Sequence, residues 1–205
     1  MHQEILTKEQ TELLPLIKAF SKRFYLVGGT AIGLHLGHRE SIDFDLFTDK
    51  DIKRKNIKSV IEKYGYPTDT IIHQADEQLH IILNTVKVTF FSFPHKINAE
   101  VDFKGIINIP DLLDLAAMKA YALGGRAKWK DYVDLYFILK HHFLLKKISI
   151  RAKELFTSFF NEKLFRQQLC YYNDVDYREK VVFVGKEIKK EEIQHFLTEI
   201  ATTTF

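Results

Sequence analysis

The chain carries a double glycine followed, a short helix later, by two aspartates one residue apart on an apolar alternation. From Phe24 to Thr48 it reads FYLVGGTAIGLHLGHRESIDFDLFT. Phe24 to Val27 is apolar and β-prone. Gly28-Gly29-Thr30 interrupts it, and Thr30 to Leu36 has the composition of a short helix capped by Thr30 and stopped by Gly37. Ile42 to Phe47 alternates, so a strand there puts Asp43 and Asp45 on one face and Ile42, Phe44 and Leu46 on the other. A helix beginning at such a turn offers free N–H groups and the positive end of its dipole to an anion, which makes Gly28, Gly29 and Thr30 candidate phosphate ligands. Two carboxylates on one strand face suit Mg²⁺, which takes one or two of them together with water and phosphate oxygens. Neither half is diagnostic alone. The glycines fit neither the dinucleotide fingerprint nor the P-loop, and exposed strand aspartates also serve solubility; the coupling of the two is the informative feature. Arg39 and Ser41, just before the acidic strand, either reach phosphate or pin the loop.

The remainder divides in composition near Asp111. Before it, Thr7 with Gln10 forms a capping box for a helix towards Ser21 that Pro15 should kink or split. Asp51 to Tyr64 reads as a basic amphipathic helix. Thr70 to His73, Leu79 to Leu83, Val86 to Phe93 and Val101 to Ile107 read as strands, with Asn84-Thr85 a tight turn. After it, helices are expected from Asp111 to the Gly124-Gly125 stop and over Lys130 to His142, Ile150 to Phe160, Glu162 to Tyr171 and Lys190 to Thr203. This order predicts an α+β class: a mixed sheet with flanking helices over 1–108, then a helical region over 109–205 that completes a cleft.

Composition excludes several classes. Apolar residues at 46%, with 17 Phe and 9 Tyr, argue for a packed aromatic core and against disorder. A net charge of +3 leaves any nucleic-acid contact to a local patch. The single cysteine, Cys170, excludes an intramolecular disulfide framework and suggests a reducing, cytoplasmic setting. With no apolar run of membrane-spanning length and no apolar signal region, no membrane association is expected. The histidines, including His35/His38 and His141-His142, lack partners at zinc-site spacing.

Lys119 interrupts an otherwise apolar helix stripe near Leu115, Ala116 and Leu123. Its ammonium either snorkels to water or has work to do. Asp131 and Asp134 lie in the first turns of the Lys130 helix, where acids are favoured by the dipole alone. The loop Arg126, Lys128, Trp129, Lys130 is either a solvated connection or an RNA grip with Trp129 as a stacking surface.

GGTAIGLHLGHRESIDFDLFT, taken with AAMKAYALGGRAKWKDYVDLYFIL from Ala116 to Leu139, resembles the AbiEii/AbiGii toxin family of nucleotidyltransferases, over roughly Phe24 to His142. The resemblance implies a nucleotidyltransferase-like fold and a Mg²⁺-dependent transfer of a nucleoside monophosphate from an NTP to an acceptor, RNA and tRNA in particular. It also implies a bacterial toxin-antitoxin or phage-defence setting with a cognate antitoxin protein. Asp43 and Asp45 would hold metal, Gly28, Gly29, Thr30, Arg39 and Ser41 would line the nucleotide, and Lys119 would face the triphosphate. The family's KD-x-x-DL pattern matches Lys130, Asp131, Asp134 and Leu135; it places Asp131 in the site, paired with Lys119 or acting as a base, with Asp134 in support. One departure stands out: many such enzymes carry a third carboxylate on a later strand, where this chain has Thr89, with Asp102 a candidate substitute. That departure motivates an alternative reading, a catalytically degenerate nucleotide- or RNA-binding module. A third is a scaffold whose glycines and acids are structural.

Overall fold

The computed structural model describes residues 1–68 and 70–203. The chain divides into two compact units, Met1–Asp111 and Leu112–Phe205, the first α/β and the second helical, as an α+β class requires.

The first unit starts with a capped helix, α1 (Lys8–Phe20). The Thr7 side chain accepts from the Gln10 amide at 3.2 Å, and Gln10 Oε1 accepts from the Thr7 amide at 3.1 Å. α1 continues as one helix through Pro15, so no second piece starts there. The proline ring faces solvent, and the buried Leu13, Leu14, Leu16 and Ile17 on either side hold the turn despite the backbone hydrogen bond that proline forfeits. After β1 (Tyr25–Val27), α2 (Gly28–Leu36) and β2 (Phe44–Thr48) come α3 (Arg54–Lys63), β3 (Ile71–Gln74), β4 (Gln78–Leu83) and β5 (Val86–Ser92). The five strands form one mixed sheet in the order β1-β2-β5-β4-β3, with β2 and β5 parallel and every other pair antiparallel.

Alternation gives this sheet two unlike faces. Phe44, Leu46, Val88, Phe90, Leu79, Ile81 and Leu83 are buried, and Phe90 meets Phe20 of α1 edge-on with ring centroids 4.8 Å apart. The opposite face carries Asp45, Phe47, Lys87, Phe91, Gln78, His80 and Ile82, all partly exposed, with Thr89 buried among them. Asn84 and Thr85 form the two-residue β4–β5 turn with both φ values positive, 48° and 67°, and Leu83 pairs with Val86 across it. The expected single strand from Val101 to Ile107 is instead a hairpin, β6 (Val101–Phe103) and β7 (Ile107–Ile109). It turns at Lys104-Gly105, both in the left-handed region, and forms a separate two-stranded sheet.

The second unit packs α4 (Leu112–Leu123), α5 (Trp129–His141), α6 (Leu145–Phe156), α7 (Glu162–Cys170) and α8 (Lys190–Thr202). Arg151 of α6 grips the buried Asp114 of α4 through two nitrogens, and Tyr121 stacks on Phe156 at 4.3 Å between the same helices. Tyr136 of α5 meets Phe196 of α8 edge-on at 5.1 Å. Cys170 ends α7 half-buried, its thiol pushed up by burial.

Candidate active site

Gly28 opens α2 at φ +73°, a conformation that favours glycine. A Cβ added there would lie 2.3 Å from Asp45 Oδ2, so the missing side chain is the space the Asp45 carboxylate occupies. At Gly29 a Cβ would lie 2.6 Å from a terminal nitrogen of Arg39 and 3.0 Å from Ser41 Oγ. The glycine pair therefore seats an acid and a guanidinium from the segment that follows.

Thr30 lies inside α2 and does not cap it; Val27 occupies the cap position without a side-chain hydrogen bond. The buried Thr30 hydroxyl donates to the Asp43 carbonyl and shares a 3.0 Å hydrogen bond with the Ser41 hydroxyl. Gln10 of α1 donates to the same carbonyl at 3.4 Å. Arg39 is only 1% exposed, with Nη1 donating to the Glu40 carbonyl at 2.9 Å, and Ser41 is buried too. Of the two roles open to Arg39 and Ser41, this geometry favours pinning the loop. β2 begins one residue after Asp43, so the backbone there is fixed by these hydrogen bonds, and Ile42 is 54% exposed instead of sharing the buried face with Phe44 and Leu46.

Asp43 is half-buried, and its Oδ2 lies 3.1 Å from Lys87 Nζ on β5. Asp45 pairs with Thr89 across the parallel β2–β5 ladder, Thr89 with His80 across β5–β4, and His80 with His73 across β4–β3. One cross-strand row thus reads Val27, Asp45, Thr89, His80, His73, with directly opposed side chains on the same face. Thr89 therefore does neighbour Asp45. Asp102 does not replace the acid missing there, because it sits in the β6–β7 hairpin and its carboxylate accepts from the Gly105 amide at 2.9 and 3.0 Å. Lys87 and His80 were not singled out from sequence. The signal was present, since counting outward from a two-residue turn at Asn84-Thr85 pairs Thr89 with His80 and places Lys87 one alternation earlier.

Among the described residues no group of three or more His, Cys, Asp or Glu side chains is placed to hold a metal alone. The pair Asp43 and Asp45 nevertheless fits Mg²⁺: both are partly exposed hard oxygen donors on one face, and Asp43 already attracts a cation in Lys87.

In the helical unit, Lys119 does not snorkel. It is 6% exposed, its ammonium bonds Asp131 Oδ1, and it lies 2.9 Å from Asp134 Oδ2. Arg126 Nε takes the other Asp131 oxygen at 3.1 Å. The buried Lys119, Asp131 and Asp134 close on one another, with the half-exposed Arg126 at their edge, which is how charges survive burial. Both Asp131 oxygens are thus engaged, one of them in the pairing with Lys119 that the family pattern implied. Trp129 is no open stacking surface: it is 9% exposed, lying against Tyr132 and Tyr177 with centroids at 6.1 and 5.3 Å. Glu179 ties down Lys128 and Lys130, and its carboxyl is held down to about 2, chiefly by the Lys128 hydrogen bond.

Strand, glycine-opened helix and acidic strand on a mixed sheet define a nucleotidyltransferase class of fold, and comparison with known proteins agrees. MenT4, a nucleotidyltransferase toxin from Mycobacterium tuberculosis H37Rv, superposes with a TM-score of 0.62 at 12% identity, covering 95% of this chain and 82% of that one. JHP933 from Helicobacter pylori superposes with a TM-score of 0.59 at 18% identity over 96% and 91%. An uncharacterized protein of Aquifex aeolicus (strain VF5) is 32% identical over 198 residues, 93% of each chain. The family described as nucleotidyl transferase AbiEii toxin, type IV TA system, matches residues 16–203, and this chain belongs to it.

Proposed function

We propose that this protein transfers a nucleoside monophosphate from an NTP to a hydroxyl on an acceptor, RNA and tRNA in particular, and releases pyrophosphate. The observation that carries the reading is the Asp43/Asp45 pair, with Asp45 seated on Gly28 and Asp43 fixed by its carbonyl, in a chain of the AbiEii family. Asp43 and Asp45 would hold Mg²⁺, which when bound neutralises phosphate charge and activates the attacking oxygen. Thr30, Ser41, Arg39 and Gln10 keep the acid-bearing segment in place. The α2 N-terminus at Gly28-Gly29 presents backbone N–H groups to triphosphate; in the helical unit Lys119, oriented by Asp131 and Asp134, is the candidate cation for phosphate. No helix among the described residues is long and apolar enough to cross a membrane; we place the protein in the bacterial cytoplasm as the toxin of a toxin-antitoxin or phage-defence pair.

The test is pyrophosphate release from each NTP with Mg²⁺ and bulk tRNA, for the wild type and Asp43→Ala/Asp45→Ala. Release by the wild type alone supports transfer. NTP binding without turnover supports a degenerate binding module, a reading motivated by Thr89 beside Asp45.

A further inference from the structure

Attack by a hydroxyl needs a group to receive its proton. Asp43 is paired with Lys87, Asp43 and Asp45 together suit the cation, both oxygens of Asp131 are engaged, and Thr89 has no basic atom. The cross-strand row supplies a different candidate. Asp45 and His80 flank Thr89 on its two neighbouring strands, so at about 4.8 Å per strand their Cα atoms stand roughly 10 Å apart, with one short side chain between. On that row a reacting centre over Thr89 has a carboxylate on one side and an imidazole on the other.

We propose that His80 receives the acceptor hydroxyl's proton, a role that rests on the nucleotidyl-transfer reading above. The acceptor oxygen forms its bond to the α-phosphorus as the bond from that phosphorus to the α,β-bridging oxygen breaks. Pyrophosphate leaves with that electron pair, and the proton passes to His80 and then to solvent. The ring is built for this. Gln78 Oε1 lies 3.1 Å from Nε2; with Gln78 accepting, Nε2 carries the hydrogen and Nδ1 the lone pair. His73 packs edge-on at 5.3 Å and limits the ring's tilt. The charged and titratable groups facing it are His73 from β3, Lys87 from β5 and Asp45 from β2. Burial first, then His73 and Lys87, lower its pKa against the opposing pull of Asp45, so the imidazole is neutral and ready to accept at neutral pH.

The full chain is assayed with Mg²⁺, each α-labelled NTP and bulk tRNA, as wild type, His80→Gln and His80→Ala, with melting temperatures to confirm folding. We expect kcat to fall by about 10²–10⁴ in both variants with KM for the NTP unchanged. The wild-type limb, in which kcat rises with pH below neutrality, should disappear, and added imidazole should restore activity to His80→Ala. A kcat within threefold of wild type overturns the role, as does a limb that persists in His80→Gln or a loss that imidazole leaves untouched. Labelling by the wild type with any of these outcomes removes the role alone; no labelling by the wild type with any NTP removes the transfer reading and this role with it.

Discussion

If Gly28 is glycine because Asp45 occupies the place of its side chain, then Gly28→Ala should do two separable kinds of damage. The first is backbone strain: an L residue at φ +73° costs about 1–2 kcal/mol. The second is a collision, because the new Cβ would stand 2.3 Å from Asp45 Oδ2 where ordinary contact begins near 3.4 Å, so the carboxylate must retreat by roughly 1 Å. Gly65→Ala isolates the strain, since Gly65 has φ +82° and nothing within 4 Å of the added carbon. In urea unfolding, Gly65→Ala should lose about 1–2 kcal/mol and Gly28→Ala about 1–3 kcal/mol more, the usual range for overpacking. Asp45→Ala in the Gly28→Ala background should return that excess, a coupling of at least about 1 kcal/mol. Transfer activity should fall about 10²-fold in Gly28→Ala, the scale of a 1 Å misplacement, and hold in Gly65→Ala. Equal losses for the two alanines, with Gly28→Ala and Asp45→Ala strictly additive, would refute the idea that the glycine exists to seat the acid.

Lys119→Met leaves Asp134, fully buried, and Asp131 without their shared cation, and should cost about 3–5 kcal/mol by urea unfolding; a loss under about 1 kcal/mol would show that the cluster is not held as described. Thr85→Gly should stabilise by about 1 kcal/mol, because Thr85 holds φ 67° in a two-residue hairpin turn where Asn-Gly is preferred, and a lower denaturation midpoint would contradict this. Glu179 has a folded pKa of about 2, below its unfolded value near 4.3, so its stabilisation is full above the unfolded value and is lost as pH falls towards 2. Its side chain is 43% exposed, so solvent screening keeps the effect under about 1 kcal/mol. Glu179→Gln should flatten that stretch of the stability–pH curve, and an unchanged slope would count against the Lys128–Glu179 pair.

The placement of Asp45 was legible because strand alternation and the spacing from a glycine break are local, and the α1 cap was legible for the same reason; Asp43, one residue before the strand, owes its place to Thr30 and Gln10 from earlier in the chain. The purpose of the glycine pair was not legible, since the side chains that fill it, Asp45 and Arg39, arrive from later in the chain. Trp129 looked like a loop aromatic because its partner Tyr177 lies in a distant segment, and the ion cluster around Lys119 depends on how α4 meets α5. Lys104-Gly105 was a readable turn signal passed over inside an apolar run, which merged β6 and β7 into one strand. The Asp45–Thr89–His80 row needed the parallel register of β2 on β5, which no local pattern encodes; only its Thr89–His80 half follows from the tight turn.

On the reading proposed above, a nucleoside monophosphate, not a terminal phosphate, leaves the NTP under the control of Asp43 and Asp45. Giving the protein, Mg²⁺ and bulk tRNA either α-labelled or γ-labelled NTP and following the label separates the two. Transfer of the α-label to RNA, with the γ-label leaving as pyrophosphate and both events absent in Asp43→Ala/Asp45→Ala, is the predicted result. Movement of the γ-label to the acceptor, or α-labelling that survives the double substitution, would contradict it.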